Sequence, residues 1–255
     1  MSENKTAFIT GVTSGIGKSC AWAFAGAGYR LILTGRRKDL LSGIKTQLKN
    51  EYHVQVLAIA MDVRDRQAVE VAVSGLPDDW KNIDILVNNA GLALGLTDIG
   101  DGDPDQWDQM IDTNIKGLLY VSRCIIPGMI SRRSGHIINI GSIAGRETYP
   151  KGNVYCATKS AVDAISKGMR IDLLSHGIKV SQVSPGATET EFSLVRFQGD
   201  AQRAKKVYSG FTPLSPDDVA SAVLFVASLP PHANVDDLLI MPTKQANATM
   251  FNRQE

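Results

Sequence analysis

The chain has 255 residues, of which 44% are hydrophobic and 21% charged, and this composition is typical of a globular protein. Its length suits one large hydrophobic core, so we expect a single domain spanning residues 1–255. The 27 basic and 26 acidic residues nearly cancel, which argues against nucleic acid as a partner. Three widely spaced cysteines without a C-x-x-C pair, and no long apolar segment near the N-terminus, predict a cytoplasmic protein without membrane association or a metal site.

Short apolar runs alternate with longer amphipathic stretches along the whole chain. This alternation predicts parallel strands joined by helices, because parallel neighbours need crossover connections that are usually helical. We therefore predict a doubly wound α/β fold in which helices flank a seven-stranded parallel sheet. The strands are predicted at residues 6–10, 30–34, 55–60, 83–88, 135–140, 179–184 and 238–241.

Two segments lack either pattern and are predicted to be irregular. The first, residues 92–104, is rich in glycine and aspartate, and the second covers residues 186–212. A loop as long as the second one is usually functional in a compact domain. We expect it to form a lid over the substrate at about residues 187–212.

A glycine-rich turn connects the first predicted strand to the first predicted helix. Glycines allow the backbone to approach a pyrophosphate closely, and a helix N-terminus offers free N–H groups. The same residues could form a plain tight turn, but the order of strand, glycines and helix favours a Rossmann-type dinucleotide site. The residues predicted to contact the cofactor here are Gly11, Thr13, Ser14, Gly15, Ile16 and Gly17.

The end of the second strand predicts which dinucleotide is bound. NAD sites usually place an acidic residue there, to accept a hydrogen bond from the ribose 2′-hydroxyl. This chain has Gly35 followed by Arg36 and Arg37, which suit a 2′-phosphate. A solvated basic turn is the alternative, but the missing acid and the arginines together favour NADP.

Polar and small residues follow the third and fourth predicted strands. The carboxyl ends of parallel strands share one sheet edge, where such folds bind their ligands. We expect Asp62 and Val63 to meet the adenine. The ribose is expected beside Asn89, Ala90 and Gly91.

A phenol and an ammonium group lie four positions apart in the predicted helix that starts at Asn153. Tyr155 and Lys159 would project from one helix face, where the cation favours the ionised phenol. A tyrosine with its pKa lowered towards neutrality is a good general base. An isolated pair with this spacing is more often an aromatic residue beside a surface charge, but the predicted dinucleotide site favours the catalytic interpretation.

These motifs occur in the order and spacing of the short-chain dehydrogenase/reductase family, which the sequence resembles over nearly its whole length. The resemblance rests on the glycine turn, Asn88-Asn89-Ala90-Gly91, Asn114, Ser142, Tyr155-x-x-x-Lys159 and Pro185-Gly186.

The resemblance implies roles for individual residues and an assembly. Tyr155 would exchange a proton with the substrate oxygen, with Lys159 lowering the pKa of the phenol. Ser142 would orient the substrate, and Asn114 would position a water that links Lys159 to solvent. Relatives are commonly homotetramers, so we expect one here. Contacts with the nicotinamide end of the cofactor are implied for Pro185, Gly186 and Thr188.

Longer strings of sequence at residues 86–95, 136–142 and 191–200 resemble one subgroup, the NADP-dependent 3-hydroxy acid dehydrogenases that act on serine, allo-threonine or 3-hydroxypropionate. Such a substrate carries a carboxylate, which Arg196 in the expected lid could bind in bidentate fashion. Arg146, just after Ser142, is the alternative. The stretch Gly145-Arg146-Glu147-Thr148-Tyr149 is more charged than the subgroup suggests, and this departure concerns the substrate rather than the reaction. The alternative functions are reduction of 3-oxoacyl carrier protein or of general ketones, and a non-catalytic NADP-binding sensor.

Overall fold

The computed structural model describes residues 5–254 and contains one seven-stranded sheet, in which every neighbouring pair is parallel. The strand order is β3-β2-β1-β4-β5-β6-β7. The predicted strands are confirmed, with ends displaced by no more than two residues. The strands are β1 (Thr6–Thr10), β2 (Arg30–Gly35), β3 (Val56–Ala60), β4 (Ile85–Asn88), β5 (His136–Ile140), β6 (Lys179–Pro185) and β7 (Asp237–Ile240).

Helices cover both faces of the sheet. Helices α1, α2 and α9 pack on one face, and α3, α5 and α6 pack on the other. The helices are α1 (Gly15–Gly26), α2 (Lys38–Tyr52), α3 (Arg66–Ser74), α4 (Pro104–Ile111), α5 (Leu118–Arg132), α6 (Asn153–Leu173), α7 (Glu191–Arg196), α8 (Ala201–Lys206) and α9 (Pro216–Ser228).

Strand β1 shows why apolar residues occur on both faces of a strand. Ala7 and Ile9 face the core under α1 and α9, whereas Phe8 between them faces the opposite core. Because both faces of the sheet are buried, apolar residues lie on both faces of the strand rather than at alternate positions only, and the buried hydroxyl residues Thr6 and Thr10 occupy its two ends. This pattern made the strands visible in the sequence.

The order in which the chain adds strands to the sheet reverses at β1, and this reversal determines where the ligand crevice lies. Strand β1 pairs with β2 on one side and with β4 on the other, so the chain extends the sheet first towards β3 and then, from β4 onwards, in the opposite direction. Ligands bind beyond the carboxyl ends of the strands at such a switch point. The glycine turn follows β1 directly, so it lies at this crevice.

The expectation of an irregular lid was wrong in part. Residues 186–212 contain α7 and α8, because each short helix has a capping side chain. The Thr190 hydroxyl accepts from the N–H of Phe192, and the Asp200 carboxylate accepts from the N–H of Arg203. The other segment, residues 92–104, holds one short 3-10 turn at Ile99–Asp101 before α4 begins. Across residues 5–254, none of the helices has the length and apolar character required to cross a membrane.

Candidate active site

A cleft of about 660 Å³ opens at the carboxyl edge of the sheet. Strand ends, the glycine turn, the lid segment and the C-terminal segment form its walls. Most residues that the sequence predicted for the site line this cleft. They are Gly11, Thr13, Ser14, Gly15, Ile16, Arg36, Arg37, Asp62, Val63, Asn89, Ala90, Gly91, Ser142, Tyr155, Lys159, Pro185, Gly186, Thr188 and Arg196.

The glycine turn has the geometry of an anion site. Gly11 and Gly15 have φ values of +71° and +54°, a region that other residues rarely adopt. A Cβ on Gly11 would lie 2.9 Å from the Cα of Ala90, so the two backbones approach closely. Helix α1 has no side-chain cap at Ser14 and no acidic residue in its first turn. Its N-terminal N–H groups are therefore available to a phosphate.

Gly17 was predicted as a cofactor contact, but it is buried in α1 and is not part of the cleft wall. A Cβ on Gly17 would lie 2.2 Å from Nδ2 of Asn89 and 2.5 Å from the carbonyl oxygen of Gly11. This glycine therefore allows the helix to pack closely against the turn. The Asn89 amide in turn donates to the carbonyl oxygens of Thr10 and Gly11, at 2.8 and 3.1 Å, and holds the turn in place.

Positive charge surrounds the groove at the end of β2. Both Arg36 and Arg37 are exposed and line the cleft. The Arg37 guanidinium donates from Nε to Oγ1 of Thr13 and from Nη1 to Oε2 of Glu191, each at 3.1 Å. Glu191 begins α7, so this pair connects the groove to the lid segment. Arg36 has no acidic partner among the ion pairs of residues 5–254.

Asp62 lines the same end of the cleft and is held by Arg64. The carboxylate accepts from the backbone N–H of Arg64 at 3.0 Å and from its Nη2 at 2.7 Å. Partial burial opposes ionisation of Asp62, but the bonds and charge of Arg64, with the charge of Arg36, outweigh it and lower the pKa. Asp62 is therefore ionised and fixed at neutral pH.

Helix α6 brings Tyr155 and Lys159 to the cleft, as predicted. Both are buried, with exposed fractions of 8% and 7%. The Lys159 ammonium donates from Nζ to the carbonyl oxygen of Ile140 at 2.9 Å. Burial lowers the pKa of Lys159 to about 8, so its charge can be lost at mildly alkaline pH.

The direction predicted for the Tyr155 pKa was wrong for this structure. Burial raises the pKa of Tyr155 well above its ordinary value, and Tyr149 adds to the rise, whereas Ser142 and Arg196 oppose it. The sequence argument considered the attraction to Lys159 but not the cost of ionising a buried phenol. Tyr155 is therefore protonated at neutral pH.

Ser142 follows Gly141 just beyond the end of β5 and acts on the Tyr155 phenol. Its backbone is extended, and its Oγ accepts from the N–H of Ala144 at 3.1 Å. This bond caps the short 3-10 turn Ile143–Gly145 and fixes the rotamer of the side chain. The hydroxyl proton remains available to a substrate oxygen.

Asn114 was expected on a regular helix, but it lies in the π-helical segment Asp112–Gly117 between α4 and α5. It is buried behind the cleft wall rather than lining it. Its Nδ2 donates to the Leu92 carbonyl and to Oγ1 of Thr158, at 2.8 and 3.0 Å, and its Oδ1 accepts from the N–H of Leu92 at 2.9 Å. Both amide protons are thus used, and one acceptor position remains on Oδ1.

The two arginines considered for the substrate lie in different places. Arg196 lines the cleft, and its guanidinium carbon lies 5.6 Å from the centre of the Tyr155 ring. It donates from Nη1 to the Tyr149 hydroxyl at 2.8 Å and from Nε to the Gly95 carbonyl at 3.1 Å. Arg146 is exposed outside the cleft wall and pairs with Asp237. Its predicted contact with substrate is therefore withdrawn.

Sequence reasoning missed several residues of the cleft wall. Tyr149 lines the cleft, although the sequence drew attention only to its charged neighbours. Thr113 lines the cleft too, and its buried hydroxyl has no hydrogen-bond partner among residues 5–254. The C-terminal segment contributes Gln245, whose Oε1 accepts from the N–H of Ala187 at 2.8 Å, as well as Phe251 and Arg253. A strand or helix pattern could not have revealed this segment, because the chain after β7 has neither.

Comparison with known proteins places this geometry in a family. A family model described as short chain dehydrogenase matches residues 5–200. The chain belongs to this short-chain dehydrogenase family. It is 45% identical over 241 residues to the NADP-dependent 3-hydroxy acid dehydrogenase YdfG of Salmonella typhi, a match that covers 94% of this chain and 96% of that protein.

Two further family members are similar over most of their length. A sulfoacetaldehyde reductase of Chromohalobacter salexigens is 44% identical over 240 residues, which is 94% of each chain. The closed form of a serine dehydrogenase complexed with NADP⁺ superposes with a TM-score of 0.91 and 43% identity, covering 98% of this chain and all of that one. The Rossmann-type fold predicted from the sequence is confirmed.

Proposed function

We propose that this short-chain dehydrogenase uses NADP to interconvert a small 3-hydroxy acid and the matching 3-oxo acid or semialdehyde. The observation that carries the proposal is the position of Arg196, a cation in the cleft beside the Tyr155 ring. A carboxylate bound there would place an oxygen a few bonds away beside the proton donor. Serine, allo-threonine and 3-hydroxypropionate fit this description.

The residues present fit an NADP molecule. The free N-terminus of α1 with Gly11 and Gly15 suits the pyrophosphate, and Arg36 with Arg37 suits the 2′-phosphate. Asp62 and Val63 would contact the adenine. The ribose and nicotinamide would be held by Asn89, Ala90, Gly91, Lys159, Pro185, Gly186 and Thr188.

When bound, NADP supplies or accepts the hydride, and the protein moves the proton. Tyr155 would donate its phenolic proton to the carbonyl oxygen during reduction and take it back during oxidation. The Ser142 hydroxyl would hold that oxygen in place. Because burial raises the pKa of Tyr155, the phenol carries at neutral pH the proton that reduction requires. Oxidation requires the phenol to give up its proton and accept one from the substrate, so its rate should rise with pH.

Lys159 would replace the proton on Tyr155 from its own ammonium, whose pKa near neutrality suits this exchange. Asn114 would help through the remaining acceptor position on Oδ1. A Cβ placed on Gly91 would lie 3.3 Å from this oxygen and 3.7 Å from Nζ of Lys159, so the two groups converge on one point. A water there could pass protons from solvent to Lys159.

Arg196 retains hydrogen-bond donors for a substrate. A guanidinium has five N–H groups, and two of these are used for Tyr149 and Gly95. The remaining donors can bind two oxygens of a carboxylate side by side. A sulfonate would also fit these donors, and the similarity to a sulfoacetaldehyde reductase makes a small sulfonated aldehyde the second candidate.

The experiment that tests the proposal is NADPH oxidation by purified protein with four carbonyl substrates. These are malonic semialdehyde, sulfoacetaldehyde, an acetoacetyl thioester, which represents carrier-protein substrates, and a neutral ketone. We expect the highest kcat/KM with malonic semialdehyde. A higher kcat/KM with sulfoacetaldehyde would mean that the substrate carries a sulfonate rather than a carboxylate. Preference for the thioester or the ketone would overturn the proposal. Binding of NADPH without turnover of any substrate would favour a sensor.

We also propose that the protein is a cytoplasmic homotetramer. The C-terminal part of α6 leaves Ile171 and the following Leu174 75% and 76% exposed, and α9 leaves Phe225 53% exposed. Large apolar side chains with such exposure are often covered by another subunit. Light scattering on the eluted protein should give four times the 27.5 kDa mass of the chain, and a monomer would refute the assembly.

A further inference from the structure

The serine loop, residues 142–147, carries Ser142 and packs directly on α6. A Cβ on Gly145 would lie 2.6 Å from the carbonyl oxygen of Lys159, so no larger residue fits at this contact. The Ser160 hydroxyl donates to the Gly145 carbonyl at 2.9 Å. The loop therefore touches the helix that bears Tyr155 and Lys159, and a shift of the loop changes the distance between Ser142 and Tyr155.

Arg146 ties the far end of the serine loop to the sheet. Its Nη2 lies 2.5 Å from Oδ2 of Asp237, the first residue of β7. The same carboxylate accepts from the Ser184 hydroxyl at 3.1 Å and from Nε2 of Gln182 at 3.4 Å. Both of these residues belong to β6, which ends at the cleft wall in Pro185.

Asp237 is an anchor because its carboxylate belongs to a partly buried set of hydrogen bonds with β6, in which Nε2 of Gln182 also donates to the Ser184 hydroxyl at 3.0 Å. Oε1 of Gln182 lies 3.4 Å from the Ser166 hydroxyl of α6, which has a closer acceptor for its proton in the Val162 carbonyl at 2.8 Å, and Ser166 accepts from Asn139 of β5 at 2.9 Å. Asn139 accepts from Asn88 of β4 at 2.9 Å. Such a network resists displacement, since breaking one member leaves other buried polar groups unpaired.

We propose that Arg146, held by Asp237, is a positioning residue that fixes the Ser142 hydroxyl relative to Tyr155 and the substrate oxygen. The inference rests on the proposed function, in which Ser142 orients that oxygen. It also explains the charged stretch after Ser142, which the substrate site does not use. Residues 142–144 are buried whereas residues 146–148 are exposed, so the ion pair with Asp237 holds the outer half of the loop.

The test compares Arg146→Met, Asp237→Asn and the double variant. Because an error of about 1 Å in a catalytic group can cost up to about a hundredfold in rate, we expect Arg146→Met to lower kcat about tenfold. The dissociation constant of NADPH should change less than about twofold, since the loop does not hold the phosphates. The double variant should be no slower than the slower single variant, because each single substitution already removes the ion pair between Arg146 and Asp237.

Asp236→Asn is the matched control. Asp236 precedes Asp237 and pairs with Arg170 on α6 rather than with the serine loop. This variant should keep the wild-type kcat. Arg146→Lys, which retains the charge, should recover part of the activity that Arg146→Met loses.

The pH profile separates positioning from simple loss of stability. The groups that act on the Tyr155 phenol include Tyr149, Ser142, Arg196 and Cys156, with Lys159 one helical turn away. Ser142 lowers the pKa of Tyr155. If Ser142 is no longer held beside Tyr155, the pH at which kcat for oxidation rises should therefore be higher in both single variants than in wild type. A purely electrostatic effect of Asp237→Asn would lower that pH.

The inference is overturned if Arg146→Met has the same kcat and the same pH profile as Asp236→Asn. It is also overturned if, in Asp237→Asn, kcat for oxidation rises at a lower pH than in wild type. Ser142→Ala and Tyr155→Phe are measured beside these variants. If those two abolish turnover while Arg146→Met does not slow it, the inference alone fails. If those two remain active, the proposed function fails.

Discussion

Replacing Arg196 by methionine should convert a preference for acids into a preference for neutral substrates. Methionine keeps an unbranched side chain of similar length but removes the charge and all five N–H donors. The bonds to Tyr149 and the Gly95 carbonyl, at 2.8 and 3.1 Å, disappear as well. Because Gly95 still donates its own N–H to the Arg196 carbonyl at 3.1 Å, α7 remains tied to the cleft through the backbone.

The size of the effect follows from the bonds that a carboxylate loses. Hydrogen bonds to charged groups contribute about 1.5–3 kcal/mol. At about 1.4 kcal/mol per factor of ten, kcat/KM for 3-hydroxypropionate should fall roughly 10- to 150-fold. Its methyl ester has no carboxylate for Arg196 to bind, so its kcat/KM should change less than about threefold. For Arg196→Lys, kcat/KM with the acid should lie between the values of wild type and Arg196→Met, because an ammonium keeps the charge but cannot bind a carboxylate through two parallel N–H groups.

The assay is NADP reduction at 340 nm with the acid and its methyl ester for each variant. Arg203→Met is the matched control, because Arg203 lies on α8 of the same lid segment but does not line the cleft. It should leave the ratio of the two kcat/KM values unchanged. Equal losses on acid and ester in Arg196→Met would refute the carboxylate contact and leave Arg196 with a structural role.

Three further outcomes are expected. Arg36→Ala should weaken NADP binding at least about tenfold more than NAD binding in fluorescence titrations, since a charged hydrogen bond to the 2′-phosphate is lost; equal losses would contradict this. Asn114→Ala should lower the free energy of unfolding in urea by about 2–4 kcal/mol, because both polar groups of Leu92 lose a buried partner; a change below about 1 kcal/mol would contradict it. Burial and the Lys179 charge lower the pKa of His136 to about 3, so the unfolded chain alone takes up this proton below about pH 6.5. Between pH 7.5 and 5.5 the free energy of unfolding should therefore fall in both proteins, and the fall should be about 1 kcal/mol larger in wild type than in His136→Gln. The same pH dependence in both proteins would contradict this.

Local pattern was sufficient for most of the fold. The strands stood out because two buried faces favour short runs in which apolar residues follow one another, such as Ala7-Phe8-Ile9 in β1. The glycine turn, the arginines after β2 and the strand-end residues were found because backbone geometry and ligand charge dictate those residue types locally. Helices α7 and α8 were missed because each has only six residues, too few for a periodic pattern.

Other features of the site depend on tertiary structure and could not be deduced locally. The π-helical geometry at Asn114 and the approach of residues 245–253 to the cleft arise from packing between distant segments. The pKa of Tyr155 depends on burial, which the Tyr-x-x-x-Lys spacing does not encode. The location of Arg146 was also undetermined, since an arginine just after Ser142 could have pointed towards the substrate or, as found, towards Asp237.

The central claim is that the Tyr155 phenol transfers the proton in an NADP-dependent reaction. Tyr155→Phe removes only the hydroxyl and keeps the ring that contacts Phe192, so the cleft should keep its shape. The decisive measurement is NADPH oxidation with malonic semialdehyde by this variant, with NADPH affinity determined on the same sample. The account predicts NADPH affinity within about twofold of wild type and a kcat at least about a thousandfold lower. A variant that binds NADPH and turns over at the wild-type rate would contradict it.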